Sequence, residues 1–150
     1  MAHSYTQLLY HIVFSTKERR PWLDAALRPR LFKYLAGAIR DEGGHAIRID
    51  GVADHIHILC RLRQDKAISD IVRGIKANSS KWIHEKFAAI AQFGWQNGYA
   101  AFSVSHSQAE RVERYIARQE SHHRRLSFQD EFVELLRRHG IEFDERYLWA

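Results

Sequence analysis

Residues 45–62, HAIRIDGVADHIHILCRL, predict a β-hairpin. Two segments rich in aliphatic residues, 45–52 and 56–62, flank a short turn, which is typical of paired antiparallel strands. The second segment places apolar side chains at alternate positions: Ile56, Ile58 and Cys60. Because alternate residues of a strand project from opposite faces, we predict that His55 and His57 share the other face, open to a ligand.

Outward from the hairpin, predicted strands and helices follow the order β-α-β-β-α-β and end with two further helices. The predicted elements are a strand over 7–15, a helix over 24–41 capped by Asp24, the hairpin, a helix over 70–91 capped by Ser69, a strand over 100–105, and helices over 109–124 and 128–138. This order indicates an α+β, ferredoxin-like fold: an antiparallel sheet with helices on one face, extended by C-terminal helices. We expect residues 1–150 to form a single domain.

Composition limits the setting in which the protein works. With 150 residues, 45% hydrophobic and 27% charged, the chain has the size and balance of one globular domain. A single cysteine, Cys60, excludes an internal disulfide and fits a reducing compartment. The first twenty residues lack the layout of a signal peptide, and no apolar run reaches the roughly 18 residues of a membrane span. We expect a cytoplasmic protein without membrane contact, whose formal charge of +5 favours a polyanionic partner.

A second pair of side chains, Tyr115 and Gln119, can complete the chemistry of the histidines. They lie four residues apart in the predicted helix over 109–124, so a phenol and a carboxamide share one helix face. Two imidazoles, a neutral oxygen ligand and a phenol describe a metal-assisted nucleophilic site, for which a phosphodiester is the natural electrophile. Imidazole ligands by themselves suit zinc, nickel or cobalt, whereas catalysis on phosphates usually uses magnesium or manganese.

Each of these residues also has an ordinary structural interpretation. An isolated His-x-His pair is about as often a surface or hydrogen-bonded core feature as a pair of ligands. A tyrosine beside apolar helix positions is, alone, more often a packing residue than a nucleophile. A glutamine within a helix is usually solvated, and the neighbouring His122 and His123 could face solvent or DNA. Residue by residue, these alternatives stay open.

Taken together, the motifs resemble one known family. A His–hydrophobic–His motif, followed by a helix with Tyr and a Gln four residues later, is the pattern of the HUH single-tyrosine transposases: the insertion sequence 200/605 class and the REP-associated tyrosine transposases. Here the pattern falls on His55, Ile56, His57, Tyr115 and Gln119. Other segments resemble the family in the same order: YTQLLYHIVFSTKERRPWL (5–23), IKANSSKWIHEKF (75–87), WQNGYAAFSVSHS (95–107) and GIEFDERYLW (140–149). The resemblance spans nearly the whole chain.

This resemblance implies a metal-dependent DNA transposase from a bacterium or archaeon. Magnesium or manganese would be held by His55, His57 and Gln119. Tyr115, on the C-terminal helices, would cleave and rejoin single-stranded DNA with hairpin ends through a 5′-phosphotyrosine intermediate. Because strand transfer needs two DNA ends held together, we expect a homodimer. The resemblance further implies that the Tyr115 helix can serve the histidine pair of its partner.

The resemblance also predicts side chains that contact DNA. The candidates are Lys76, Ser79, Ser80, Lys81, Arg19, Arg20 and Arg118. The first four lie on the second predicted helix, the two adjacent arginines follow the first strand, and the last lies between the predicted nucleophile and Gln119. Without the resemblance, a mixed run of charges on a helix would indicate only a solvated surface.

Two other functions are compatible with the predicted fold. A non-catalytic nucleic-acid-binding module, such as a domesticated relative, could use the same scaffold, although the aromatic motif of RNA-recognition modules is absent from the sequence. An HUH nicking endonuclease of replication or conjugation is commonly larger and often carries a helicase domain. The complete set of His55, His57, Tyr115 and Gln119 favours an enzyme over the non-catalytic module.

Overall fold

Four strands form the sheet that carries the site, and the computed structural model describes residues 4–149. The strands are β1 (Leu9–Ser15), β2 (His45–Gly51), β3 (His55–Arg61) and β4 (Ala100–Val104). Their order is β2-β3-β1-β4, and every pairing is antiparallel. This arrangement confirms the predicted ferredoxin-like α+β fold. Residues 1–3, part of the stretch assessed for a signal peptide, and residue 150 lie outside the described residues.

One face of the sheet carries the main core, because alternate positions of the two central strands are apolar. Helices α1 (Leu27–Asp41) and α2 (Ile68–Lys86) cover this face. The strand residues at most 1% exposed beneath them are Ile12, Phe14, Ile56, Ile58 and Cys60. Burial of a large aliphatic or aromatic side chain is worth about 1.5–3 kcal/mol, so this alternation fixes which face of β3 points away from the core.

The helix boundaries differ from the predictions at their ends. The carboxylate of Asp24 accepts a hydrogen bond from the backbone N–H of Leu27 at 2.8 Å, but it closes the turn before α1 and the helix begins only at Leu27. The predicted cap at Ser69 is wrong, since α2 begins at Ile68 and no side chain caps it. This helix ends at Lys86 rather than near residue 91, because Phe87 leaves helical geometry at φ −132°, ψ 76°.

The C-terminal helices cover the opposite face of the same sheet. Helices α3 (Ala109–Ala117) and α4 (Gln119–His122) contact β2, and α3 also contacts β3. Helix α5 (Phe128–Arg138) packs on β1 and β4 through Phe128, Phe132, Leu135 and Leu136. A short helix, α6 (Glu145–Leu148), follows. The C-terminal helices therefore pack against the sheet of their own chain. Among the described helices, none has the length and apolar character needed to cross a membrane.

The predicted continuous helix over 109–124 is broken at Arg118. Helix α3 ends at Ala117, Arg118 adopts φ −102°, ψ 18°, and α4 begins at Gln119. No glycine or proline marks this position in the sequence. The break shortens the helix that carries Tyr115 and places Gln119 at the start of a separate turn.

Candidate active site

The two predicted metal-ligating histidines lie side by side at the start of β3. Gly51 lets the hairpin close tightly there, because a Cβ at this position would collide with the backbone of His55. Both imidazoles project from the face opposite to the main core, as predicted. The expectation that they are open to a ligand is wrong: His55 and His57 are each 0% exposed, since the C-terminal helices cover them.

Each imidazole is held at its Nδ1 and turns its Nε2 towards the helices. The Nδ1 of His55 lies 2.8 Å from a carboxylate oxygen of Asp54. The Nδ1 of His57 lies 2.8 Å from the Nε2 of His11, a buried β1 residue that the sequence analysis did not identify. Partners at Nδ1 fix the ring orientation and leave each Nε2 directed at the helices, where an unprotonated Nε2 can bind a metal.

A carboxylate that the sequence analysis missed occupies the centre of the site. Glu131, in the first turn of α5, is 1% exposed. Its Oε1 lies 3.0 Å from Nε2 of His57, 3.3 Å from Nε2 of His55 and 2.9 Å from Nε2 of His123. An acidic residue in the first turn of a helix is common because it complements the helix dipole, so sequence alone offers no signal for this role.

Tyr115 and Gln119 both reach this carboxylate. The half-buried phenol of Tyr115 donates a hydrogen bond to Oε2 of Glu131, and the amide nitrogen of Gln119 donates to the same oxygen at 3.1 Å. The amide oxygen of Gln119 lies 3.2 Å from Nε2 of His55. The structure therefore brings the four residues of the predicted motif together, across the break at Arg118.

Burial and mutual charge set the protonation of the site. Burial raises the pKa of Glu131, but hydrogen bonds from the surrounding imidazoles outweigh it and hold the pKa well below its usual range. Burial lowers the pKa of His57 to about 4. For His55, burial alone would lower the pKa, but hydrogen bonds to the carboxylates of Asp54 and Glu131 outweigh burial. The pKa of His55 is therefore raised. Burial and the charge of Glu131 raise the pKa of Tyr115. The arrangement is an ionised carboxylate beside a neutral phenol and a neutral His57, the form of imidazole that ligates metals.

The predicted phosphate contacts on α2 lie away from this centre, because α2 packs on the opposite face of the sheet. The ammonium of Lys76 donates to the backbone carbonyls of Gln96 and Gly98, both at 2.7 Å, and burial lowers its pKa to about 8. The prediction for Ser79 is corrected, since its hydroxyl is buried and accepts a hydrogen bond from the Trp95 indole at 2.9 Å. Of the other two, Ser80 is half-buried and Lys81 is exposed.

The predicted arginines differ in their surroundings. Arg19 lies over the ring of Trp149 at 5.3 Å, near the C-terminal helices. The exposed Arg20 pairs with Glu18 at 3.3 Å. Arg118 is exposed at the helix break beside Gln119. These positions place Arg19 and Arg118 on the same side of the sheet as the tyrosine.

A cavity of about 510 Å³ opens beside the tyrosine, between α3 and α5. His11 and Tyr115 line its inner end, and the exposed residues Arg111 and Arg138 lie among its outer lining. A concave, partly cationic space next to the half-buried tyrosine is where an anionic chain can approach the site.

Comparison with known proteins decides the family. The sequence profile described as "Transposase IS200 like" matches residues 4–119. The chain belongs to the IS200-like transposase family. It is 25% identical over 118 residues to the ISDra2 transposase TnpA of Deinococcus radiodurans, a match that covers 75% of this chain and 84% of the relative. It is 26% identical over 125 residues to the IS200 transposase of Salmonella typhimurium, covering 79% of this chain and 81% of the relative.

Solved structures support the fold of this IS200-like transposase. A Deinococcus radiodurans R1 protein assigned as a transposase has a TM-score of 0.67 at 22% identity, covering 79% of this chain and 95% of that chain. A REP-associated tyrosine transposase bound to a REP hairpin has a TM-score of 0.61 at 16% identity, covering 82% of this chain and 73% of that chain. The family match ends at residue 119, so Glu131 and His123 lie beyond it.

Proposed function

We propose that this IS200-like transposase is a metal-dependent enzyme that cleaves and rejoins single-stranded DNA through a 5′-phosphotyrosine intermediate on Tyr115. The observation that carries the proposal is the convergence of the phenol and the paired imidazoles on the single carboxylate of Glu131. A tyrosine that only packs against a core needs no such neighbours. A nucleophile that attacks a phosphate beside a metal needs neighbours that hold it close to the metal-binding side chains.

The donor set fits a divalent cation. Nε2 of His55, Nε2 of His57 and Oε1 of Gln119 all face the same buried space, and the family resemblance implies magnesium or manganese there. When bound, the cation supplies positive charge that orients the scissile phosphate and offsets the charge developing in the transition state. Asp54 and His11 hold the two imidazoles in position at Nδ1.

The chemistry of Tyr115 follows from its position. The phenol gives up its proton as its oxygen forms a bond to phosphorus, and the bond from phosphorus to the 3′-oxygen breaks. The released 3′-oxygen takes up one proton and leaves as a 3′-hydroxyl, so the protons balance. The 5′-phosphate stays on the tyrosine as an ester. Because the ester retains the bond energy, a 3′-hydroxyl of another strand can reverse the step and join there without ATP.

The expected substrate is a single strand with a hairpin. The net charge of +5 and the arginines around the tyrosine favour a polyanion, and a relative of similar fold is bound to a REP hairpin. A half-buried nucleophile at the inner end of a cavity is accessible to a flexible strand rather than to a rigid duplex. The exposed Lys81 and Arg20 and the half-buried Ser80 remain proposed contacts to the more distant DNA. Arg19 and Arg118 remain proposed contacts to the strand near the site.

Covalent capture tests this function. We expect an end-labelled hairpin oligonucleotide with single-stranded flanks to form an SDS-resistant adduct with the full chain, and the same sequence as a perfect duplex to form almost none. With about four phosphate contacts, affinity for the single strand should fall about 50-fold between about 50 and about 200 mM salt, because contacts release counterions. Equal adduct formation on duplex and hairpin would refute the single-strand preference. Absence of any adduct would refute the proposed enzymatic activity.

The active site is expected to assemble within one chain. Sequence resemblance implied exchange of the Tyr115 helix between partners, whereas in the structure Tyr115 contacts Glu131 beside the histidine pair of its own chain. We still propose a homodimer, since two DNA ends must be held together. A mixture of Tyr115→Phe with a His55→Ala/His57→Ala variant, each inactive alone, should therefore stay inactive in cleavage. Recovery of cleavage in mixed dimers, with subunit exchange verified by differently tagged chains, would show that the site forms between chains.

A further inference from the structure

Four side chains of the transposase place ligand atoms around one point. One ligand atom from each of His55, His57, His123 and Glu131 lies within 4.8 Å of the others. Three of the residues are buried and His123 is partly buried. This group differs from the expected ligand set because it contains Glu131 and His123, both outside the region that matches the family.

We propose that Glu131 and His123 are metal ligands that complete the site with His55 and His57, and that Gln119 positions Glu131 instead of binding the metal. The proposal rests on the metal dependence proposed above. Oε1 of Glu131 is the atom that faces the three imidazole Nε2 atoms, at 2.9 to 3.3 Å. A cation between them would be reached by all four side chains.

The hydrogen bonds of Gln119 fit a positioning residue. Its amide nitrogen donates to Oε2 of Glu131 at 3.1 Å. The other carboxylate oxygen, Oε1 of Glu131, stays directed at the imidazoles. A carboxamide in this position holds the carboxylate in one orientation, as orienting partners of metal ligands do. Gln119 thus keeps its place in the site without supplying a ligand.

The charge of Glu131 also favours this assignment. Its ion-pair partners within residues 4–149 are histidines alone: His55, His57, His122 and His123. A buried carboxylate is stabilised by positive charge placed beside it. A divalent cation provides the charge and uses the imidazole lone pairs at the same time.

Two consequences follow for the chemistry of the site. Three imidazoles and one carboxylate suit manganese, cobalt or zinc better than magnesium, which prefers an all-oxygen octahedral shell. In addition, Oε2 of Glu131 accepts the hydrogen bond of Tyr115 while Oε1 faces the ligand atoms. One carboxylate thereby holds the nucleophile at a fixed distance from the metal.

Manganese binding to the full chain tests the ligand set directly. The metal-stripped protein is titrated with Mn²⁺ by calorimetry, without DNA. We expect Glu131→Gln and His123→Ala to weaken Mn²⁺ binding by at least about tenfold. Gln119→Ala should weaken it by less than about threefold. His122→Ala is the matched control, because this neighbouring histidine faces Oε2 of Glu131 at 3.5 Å and lies outside the ligand group. It should bind Mn²⁺ like the wild type.

Other results would overturn the assignment. Unchanged or tighter Mn²⁺ binding by Glu131→Gln would show that the carboxylate competes with the metal for its space. A loss in Gln119→Ala as large as that in Glu131→Gln, with His123→Ala unaffected, would restore the set His55, His57 and Gln119. If Glu131→Gln does not fold, as judged by thermal unfolding in EDTA, the His123→Ala and His122→Ala pair carries the test on its own.

The same titration separates this proposal from the proposed function. Wild-type protein that binds Mn²⁺ as expected but captures no oligonucleotide would refute the transposase chemistry and leave the ligand set standing. Wild-type protein that captures the oligonucleotide, together with Glu131→Gln that binds Mn²⁺ normally, would refute the ligand set and leave the function standing.

Discussion

Replacing Tyr115 by phenylalanine is expected to abolish covalent capture of a hairpin oligonucleotide, with a loss of at least about 10³-fold. The substitution removes the oxygen of the proposed nucleophile and keeps the ring. The hydrogen bond to Glu131 is lost as well, at a cost of about 1–2 kcal/mol in the free energy of unfolding, so the fold should survive. SDS gel analysis of labelled adducts measures the loss, and gel-shift titration checks that DNA binding persists.

Tyr34→Phe is the matched control for this substitution. Its hydroxyl donates to the backbone carbonyl of Asn78 at 3.2 Å, on the α1–α2 side of the sheet and away from Glu131. We expect this variant to form adducts at the wild-type level. Adduct formation by Tyr115→Phe equal to that of Tyr34→Phe would identify another residue as the nucleophile.

His57→Ala is expected to stop cleavage and to remove the response of the protein to metal. The wild type should lose cleavage in excess EDTA and regain it when magnesium or manganese is added, whereas the variant should not regain it. The loss also removes one of the imidazoles around the buried Glu131 and leaves the buried His11 without its hydrogen-bond partner. We therefore expect the free energy of unfolding to fall by about 2–4 kcal/mol, measurable by urea denaturation.

The exposed His45, on β2, supplies the control for the histidine substitution. His45→Ala removes an imidazole from the same hairpin without touching the site, so cleavage and its metal dependence should be unchanged. Cleavage that continues undiminished in excess EDTA, or in His57→Ala, would remove the metal from the mechanism.

Local patterns were enough to predict the hairpin and the side of it that carries the histidines. In β3 the apolar residues Ile56, Ile58 and Cys60 alternate with the two histidines. Because alternate residues of a strand point to opposite faces, burying the apolar residues in the core turns His55 and His57 to the other face. The same reasoning overestimated exposure, because alternation fixes only the face of a side chain. Whether that face meets solvent or another helix depends on long-range packing.

Spacing predicted that Tyr115 and Gln119 share one helix face, and the family resemblance implied that they meet the histidines. They do meet them, although the helix between Tyr115 and Gln119 is broken at Arg118. The break has no glycine or proline signal and involves residues that are all compatible with a helix. Its cause is therefore tertiary: Gln119 is fully buried against Glu131 and His55, and those contacts override the local preference for a continuous helix.

The sequence by itself determined the ferredoxin-like order of elements, the face of β3 on which His55 and His57 lie, and the motif that includes Tyr115 and Gln119. Each depends on residues close together in the chain, where period and spacing act directly. Only the tertiary structure decided that α5 closes over the histidines and inserts Glu131 among them. That contact joins residues more than seventy positions apart, and an acidic residue at a helix start is favourable in any fold, so its role appears only when the helix is packed against the sheet.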